Sequence, residues 1–234
     1  MRSRLVVATP VGLDEFYATK PTGQTFERSL SDQCDILLYP SNTAGLSRVY
    51  NDAIERSKDE YDTLIFCHDD VFFVDHHWLG HCHDGMQAFD IIGVAGSVRP
   101  VPGQVAWCFE DEHGTRVDKE KMAGSIAHGT SWPPKRVNRL GPSRIPVDLI
   151  DGVFVACRMS ALIERNLRFD ERFDFHFYDV DFCLAARQAG LTLGVWDIAL
   201  MHESRGQFGT ESWHLNRLKY LQKWNSSPVP QSAA

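Results

Sequence analysis

Two adjacent carboxylates, Asp69 and Asp70, follow a strongly apolar run, residues 62–67 (DTLIFC), with His68 between the run and the pair. Neighbouring carboxylates repel each other, and a strand of Leu, Ile, Phe and Cys offers no counter-charge, so something positive is expected beside them. Ligands bind at the C-terminal ends of strands in open parallel sheets, and a hard divalent cation carrying a phosphorylated ligand suits two carboxylates placed there. A helix N-cap or a turn accounts for the same residues without chemistry, since Asp is common in both. A second pair, Asp179 and Asp181, opens the stretch FYDVDFC. Residues two apart on a helix point about 200° away from one another, so these two have separate jobs. One can favour the positive end of the helix. The other can project into a cleft and take a proton from a hydroxyl nucleophile. His202 stands after a further apolar run; a lone histidine there is more often a surface or core residue than a ligand. His77 and His81, four apart, could face a zinc ion from one side of a helix, but they lack a strong preceding ligand, and a polar helix face explains them as well.

The groups named so far sit at the ends of elements that periodicity predicts. Residues 5–9, 35–39, 62–67 and 90–95 are β-branched, apolar strand candidates alternating with helical stretches, the rhythm of βαβ units around a mostly parallel sheet. Over residues 46–54 the apolar side chains Leu46, Val49, Tyr50, Ala53 and Ile54 recur at helical spacing, and a helix is expected near 77–88. From about 97 to 145 the pattern breaks into Gly, Pro and charged residues, as in a functional loop region or one that hides an antiparallel hairpin. Residues 147–157 predict one or two buried strands interrupted at Asp151-Gly152. A helix over 178–188 ends at Gly190, a strand covers 191–201, and a helix over 211–224 buries Trp213, Leu218, Leu221 and Trp224.

The chain has 234 residues, 43% of them hydrophobic, and 24 Lys and Arg against 31 Asp and Glu, a formal charge of −7. That size fits one domain, expected over residues 1–224, with an uncharged, proline-bearing tail, 225–234, expected to be disordered. The acidic balance argues against a nucleic-acid partner. No apolar run approaches the roughly 18 residues of a membrane span, and the N-terminus does not read as a signal peptide, so a cytoplasmic location is expected. Six scattered cysteines without a C-x-x-C pair read as reduced core residues.

Taken together, Asn42 with the run 45–54, the run 64–71 ending in His68-Asp69-Asp70-Val71, Asp151-Gly152-Val153-Phe154, Asp179-Val180-Asp181-Phe182-Cys183-Leu184 before Ala189-Gly190, and His202 resemble the family 2 glycosyltransferases and their relatives with the GT-A fold. The resemblance extends over about residues 4–224, and the end of the chain looks most like small, single-domain bacterial and viral members. It implies an α/β fold with a mostly parallel, Rossmann-like central sheet and a small antiparallel portion in the second half. It also implies a metal-dependent transfer of a sugar from a nucleoside-diphosphate sugar, UDP- or GDP-linked, to the hydroxyl of a carbohydrate or glycolipid acceptor. The outcome would be inversion, and the setting surface polysaccharide or glycoconjugate synthesis. Asp70, with help from Asp69, matches the family's acidic motif for Mn²⁺ or Mg²⁺, and His202 matches a position that can complete that site. Asp179 matches the catalytic base. Thr9, Pro10, Asn42, Arg48 and Asn51 would border the nucleotide.

The chain departs from the family pattern in two places: Tyr178 stands where Glu or Asp often precedes the base, and Ala185 where Arg often follows it. The Gln-x-x-Arg-Trp motif of processive synthases is missing, so a chain-extruding synthase is not expected, and association with a membrane would be peripheral, through a lipid-linked acceptor. A nucleotidyltransferase and a non-catalytic carbohydrate-binding module are the competing readings. The first usually carries a glycine-rich basic loop after its first strand, where Thr9-Pro10-Val11-Gly12 stands here, and Asp70, Asp179 and His202 speak against the second. The acidity of the chain is expected to gather, as Asp69, Asp70, Asp179 and Asp181, around one cleft.

Overall fold

The computed structural model describes residues 1–224 apart from Trp132, Lys135, Arg205 and Gln207. The tail expected over 225–234 lies outside the described residues. Short, mostly continuous apolar runs build a seven-stranded sheet, in the order β2 (Asp35–Tyr39), β1 (Ser3–Ala8), β3 (Thr63–Cys67), β11 (Phe154–Arg158), β5 (Ile91–Gly93), β12 (Leu193–Val195) and β9 (Ile145–Pro146). Five of these strands run one way; β11 and β9 run against them. In β3, Leu64 and Phe66 face one core and Ile65 and Cys67 the other, so both faces of the sheet are covered. The first core takes the apolar faces of α3 (Leu46–Ser57), α6 (Tyr178–Gln188) and α7 (Glu211–Trp224). The second takes Trp78, Leu79, Cys82 and Met86 of α4 (Trp78–Ala88) and Phe16 of α1 (Leu13–Thr19). All six cysteines are buried and unpaired, as expected of core residues.

A second sheet runs β10 (Leu149–Ile150), β6 (Ala95–Ser97), β7 (Met122–His128), β13 (Leu200–His202) and β4 (Val71–Phe73), with β8 (Arg136–Arg139) on the free part of β7. The β7–β8 pair is the antiparallel hairpin concealed in the irregular region.

Three expectations are corrected by this second sheet and by the last helix. Residues 90–95 do not form one strand: the chain leaves the main sheet after Gly93 and joins the second at Ala95. The run 191–201 splits likewise, into β12 and β13, because residues 196–199 carry it from one sheet to the other, and His202 is the last residue of β13 rather than the residue after it. Leu218 is 60% exposed; the buried side of α7 is Trp213, Asn216, Tyr220 and Trp224. Two short helices missed in the sequence, α1 and α2 (Pro21–Thr25), fill the stretch after β1, and α5 (Met159–Glu164) follows β11.

Candidate metal and active site

The C-terminal ends of β1, β2 and β3 lie along one edge of the main sheet, and the N-terminal end of antiparallel β11 meets them there. Thr9 and Asn42 are joined through backbone, with the Asn42 amide donating to the Thr9 carbonyl at 2.8 Å. The Asn42 side chain closes its own turn onto Ala44, and Pro10 stands exposed beside it. Beyond β3 the turn 68–71 is pinned by α2. The fully buried Thr22 hydroxyl donates to the His68 carbonyl at 2.7 Å and accepts the Val71 amide at 3.1 Å, and the Thr22 amide donates to the Asp69 carbonyl.

This turn separates the two carboxylates. Asp69 Oδ2 accepts the Thr9 hydroxyl at 2.7 Å and lies 3.1 Å from the Lys20 ammonium. At Asp69 the positive charge expected beside the pair is thus the Lys20 ammonium, which reaches it from the α1–α2 junction. Asp70 turns the other way, to two imidazoles: His202 Nε2 is 3.1 Å and His68 Nδ1 3.9 Å from Asp70 Oδ1. Burial works to raise the Asp70 carboxyl, but the neighbouring His202 and then His68 outweigh it and hold it below the usual carboxylate range. For His202 the balance is mirrored, since burial favours the neutral ring and Asp70 more than reverses that. Burial, followed by His202, pushes His68 down.

One potential ligand atom from each of His68, Asp70 and His202 lies within 4.8 Å of the others, the one such group found among the described residues. Asp70 Oδ1 is buried and, despite its nearness to His202, accepts no hydrogen bond. A buried carboxylate oxygen without a donor, facing two imidazoles, fits a divalent cation of the Mn²⁺ or Mg²⁺ kind with positions left for a ligand. His68 is the member that sequence reasoning missed; its place next to Asp69-Asp70 at the end of β3 was the available signal. His77 and His81 are not part of such a group, and His81 instead pairs with Asp75 at 3.3 Å.

Asp179 and Asp181 part ways as the helical spacing requires. Phe177, in the left-handed region at φ 66°, turns the chain into α6 so that Tyr178 and Asp179 face the end of β11. The Gly152 amide donates to Asp179 Oδ2 at 3.2 Å, and the Gly152 carbonyl accepts the Tyr178 hydroxyl at 3.0 Å. Glycine is needed here because a Cβ would lie 2.7 Å from Tyr178 Cζ and 3.0 Å from Asp179 Cβ. Burial, followed by the nearby Asp151 carboxylate, raises the Asp179 carboxyl to about 6. Asp181 does not join the cleft. It is buried against α7, where Lys223 lies 2.6 Å and the Trp224 indole nitrogen 2.8 Å from its Oδ1.

Arg48 and Asn51 take their partners from the segment before α6. The Asn51 amide donates to the Phe169 carbonyl and accepts the Phe169 amide, both at 2.9 Å, while exposed Arg48 pairs with Glu171. Both line an open depression of about 410 Å³ with Asp52, Glu55, Arg168 and Glu171. In this arrangement α3 anchors the segment that leads into Phe177 and α6.

A family model described as "Glycosyltransferase like family" matches residues 37–224, a span that includes Asp70, Asp179 and His202. No curated protein matches the chain. Among solved structures, the catalytic domain of Drosophila beta1,4galactosyltransferase 7, in complex with xylobiose, is 11% identical with a TM-score of 0.53, over 100% of this chain and 84% of that one. A protein from STIV is 11% identical over 90% of this chain and 100% of that one, with a TM-score of 0.48. The S. aureus TarS 1-349 fragment in complex with UDP-GlcNAc is 12% identical over 91% of this chain and 60% of that one, also at 0.48. The seven-stranded sheet with its antiparallel strands, and the likeness to the galactosyltransferase domain, agree with the GT-A fold expected from sequence. The chain belongs to the glycosyltransferase-like family.

Proposed function

We propose that this protein transfers a sugar, with inversion, from a nucleoside-diphosphate sugar to the hydroxyl of a carbohydrate or glycolipid acceptor, in surface polysaccharide or glycoconjugate synthesis. The observation that carries this reading is the meeting, at one sheet edge, of a His68–Asp70–His202 donor set and a carboxylate, Asp179, lifted to about 6. A divalent cation held by that set would stabilise the negative charge gathering on a departing diphosphate, help worth several kcal/mol in such sites. Asp179 is the base. With its carboxyl raised to about 6, its proton affinity exceeds that of an ordinary carboxylate. The Gly152 amide holds Oδ2 of this carboxylate. A positioned base contributes roughly 10²- to 10⁴-fold.

Thr9, Pro10, Asn42 and Asp69 border the nucleotide in this reading, with Lys20 neutralising Asp69 so that an anionic donor is not repelled. Arg48 and Asn51 act from behind, by fixing the 169–171 backbone that delivers α6. The test is a panel of UDP- and GDP-sugars, with and without Mn²⁺, read by melting temperature and by slow hydrolysis without acceptor. A stabilising nucleotide sugar that is hydrolysed only with the metal is expected. Release of pyrophosphate from a sugar phosphate and a nucleoside triphosphate would instead indicate a nucleotidyltransferase, and stabilisation by oligosaccharides alone a binding module.

A further inference from the structure

Tyr178 stands one residue before the base, and its hydroxyl oxygen lies 2.8 Å from His68 Nε2 and 3.0 Å from the Gly152 carbonyl oxygen. A phenol has one proton, and the carbonyl can only accept, so that proton goes to Gly152. The atom facing the remaining phenol lone pairs, His68 Nε2, must then carry the imidazole proton. In a neutral ring this leaves Nδ1 bare, and Nδ1 is the nitrogen 3.9 Å from Asp70 Oδ1, a buried oxygen that makes no well-aligned hydrogen bond although His202 Nε2 lies 3.1 Å away. Two bare acceptors turned toward each other are unfavourable unless a cation stands between them, and a second hydrogen bond of this kind is what commonly fixes the tautomer of a metal-ligating histidine.

We propose that Tyr178 is a positioning residue. Its hydroxyl holds His68 in the Nε2–H form, so that Nδ1 joins Asp70 and His202 around a divalent cation, and it ties that site to the Asp179 carboxylate through the carbonyl and the amide of Gly152. This rests on the metal reading above. The tyrosine has little freedom to do otherwise. Phe177, in its left-handed conformation, sets its direction, its ring packs edge-on against Tyr50 with centroids 5.8 Å apart, and it is 5% exposed. Gly152 therefore serves both functions, with its carbonyl on the group that orients the metal ligand and its amide on the base.

The experiment is Mn²⁺ titration of the full chain without nucleotide, for the wild type, Tyr178→Phe, His68→Ala and the double variant, with circular dichroism to verify folding. Loss of such an outer partner typically weakens metal binding about 10- to 100-fold. Tyr178→Phe is expected to raise the Mn²⁺ dissociation constant by that factor in the wild-type background and to add nothing in the His68→Ala background. Unchanged affinity in Tyr178→Phe, or an equal loss in both backgrounds, overturns the proposal while leaving the metal reading intact. A wild-type chain that takes no Mn²⁺, with or without UDP, overturns both. Should Tyr178→Phe fail to fold, the tautomer is read directly from long-range ¹⁵N–¹H correlations of the wild-type protein. A proton on His68 Nε2 supports the proposal, and one on Nδ1 overturns it.

Discussion

Gly152→Ala is the smallest change that should disturb both halves of the site at once. Its expected size follows from the surroundings of one missing methyl. The new Cβ would collide with the Tyr178 hydroxyl and sit 2.7 Å from Cζ, where ordinary contact begins at 3.4 Å, so the phenol or the β11 end has to give by about 0.7 Å at Cζ and by more at the hydroxyl. Tyr178 cannot swing away freely, because it is buried among the rings of Tyr50 and Phe169. Gly152 is not in the left-handed region, so alanine suffers no backbone penalty there and the crowding acts alone. Overpacking of this kind costs about 1–3 kcal/mol, which in a chain of this size lowers the melting temperature by roughly 2–12 °C. The same displacement moves Asp179 and His68, and an ångström-scale misplacement of reacting groups costs on the order of 10²-fold in rate. Donor hydrolysis and transfer should therefore fall far more than the loss of folded protein at 25 °C explains. If the alanine variant melts within a degree of wild type and turns over within twofold, Gly152 does not clamp the two side chains and the close approach has no consequence.

The remaining perturbations separate metal, base and scaffold. Asp70→Ala removes the carboxylate that stands within 4 Å of both imidazoles, so Mn²⁺ binding by titration and Mn²⁺-dependent donor hydrolysis should both fall by at least about 10²-fold. The rate should rise with pH through about 6 and then level, because the Asp179 proton must leave before it can accept another; in Asp151→Asn that limb should move toward lower pH, since one cause of the raised value is the Asp151 charge. A limb near 4 in the wild type would contradict the assignment. Asp181→Ala leaves the Trp224 indole N–H without its acceptor and takes one of two carboxylates from Lys223, which keeps Asp170 at 2.8 Å, so urea unfolding should show a loss of about 1–3 kcal/mol with Mn²⁺ affinity unchanged.

How far the residues announced this arrangement depends on whether the deciding contact was local. The helix over 178–188 and its close at Gly190, φ 79°, were legible because apolar period and a C-terminal glycine coincide. The strand before His68-Asp69-Asp70 was legible because it is buried on both faces and so reads as an unbroken apolar run. The run 191–201 misled for the same reason: an apolar stretch passing from one buried sheet into another keeps its composition while breaking its pairing. Long-range partners left no local mark. Nothing near Asp69 announces Lys20, and nothing near Asp181 announces Lys223 or Trp224, although the helical spacing did show that Asp179 and Asp181 diverge. Tyr178 stood out only as a departure from the resembled pattern. Its partner, His68, adjoins the acidic pair yet became a candidate ligand only when β13 brought His202 alongside.

The most direct test of the central claim compares donor binding with transfer in Asp179→Asn. The amide keeps the shape of the carboxylate and can still accept the Gly152 amide hydrogen bond, but it cannot take a proton from an acceptor hydroxyl. With the nucleotide sugar and acceptor found in the panel, the variant should bind Mn²⁺ and donor within about threefold of wild type while transfer falls by roughly 10²- to 10⁴-fold. Transfer at the wild-type rate would show that Asp179 is not the base.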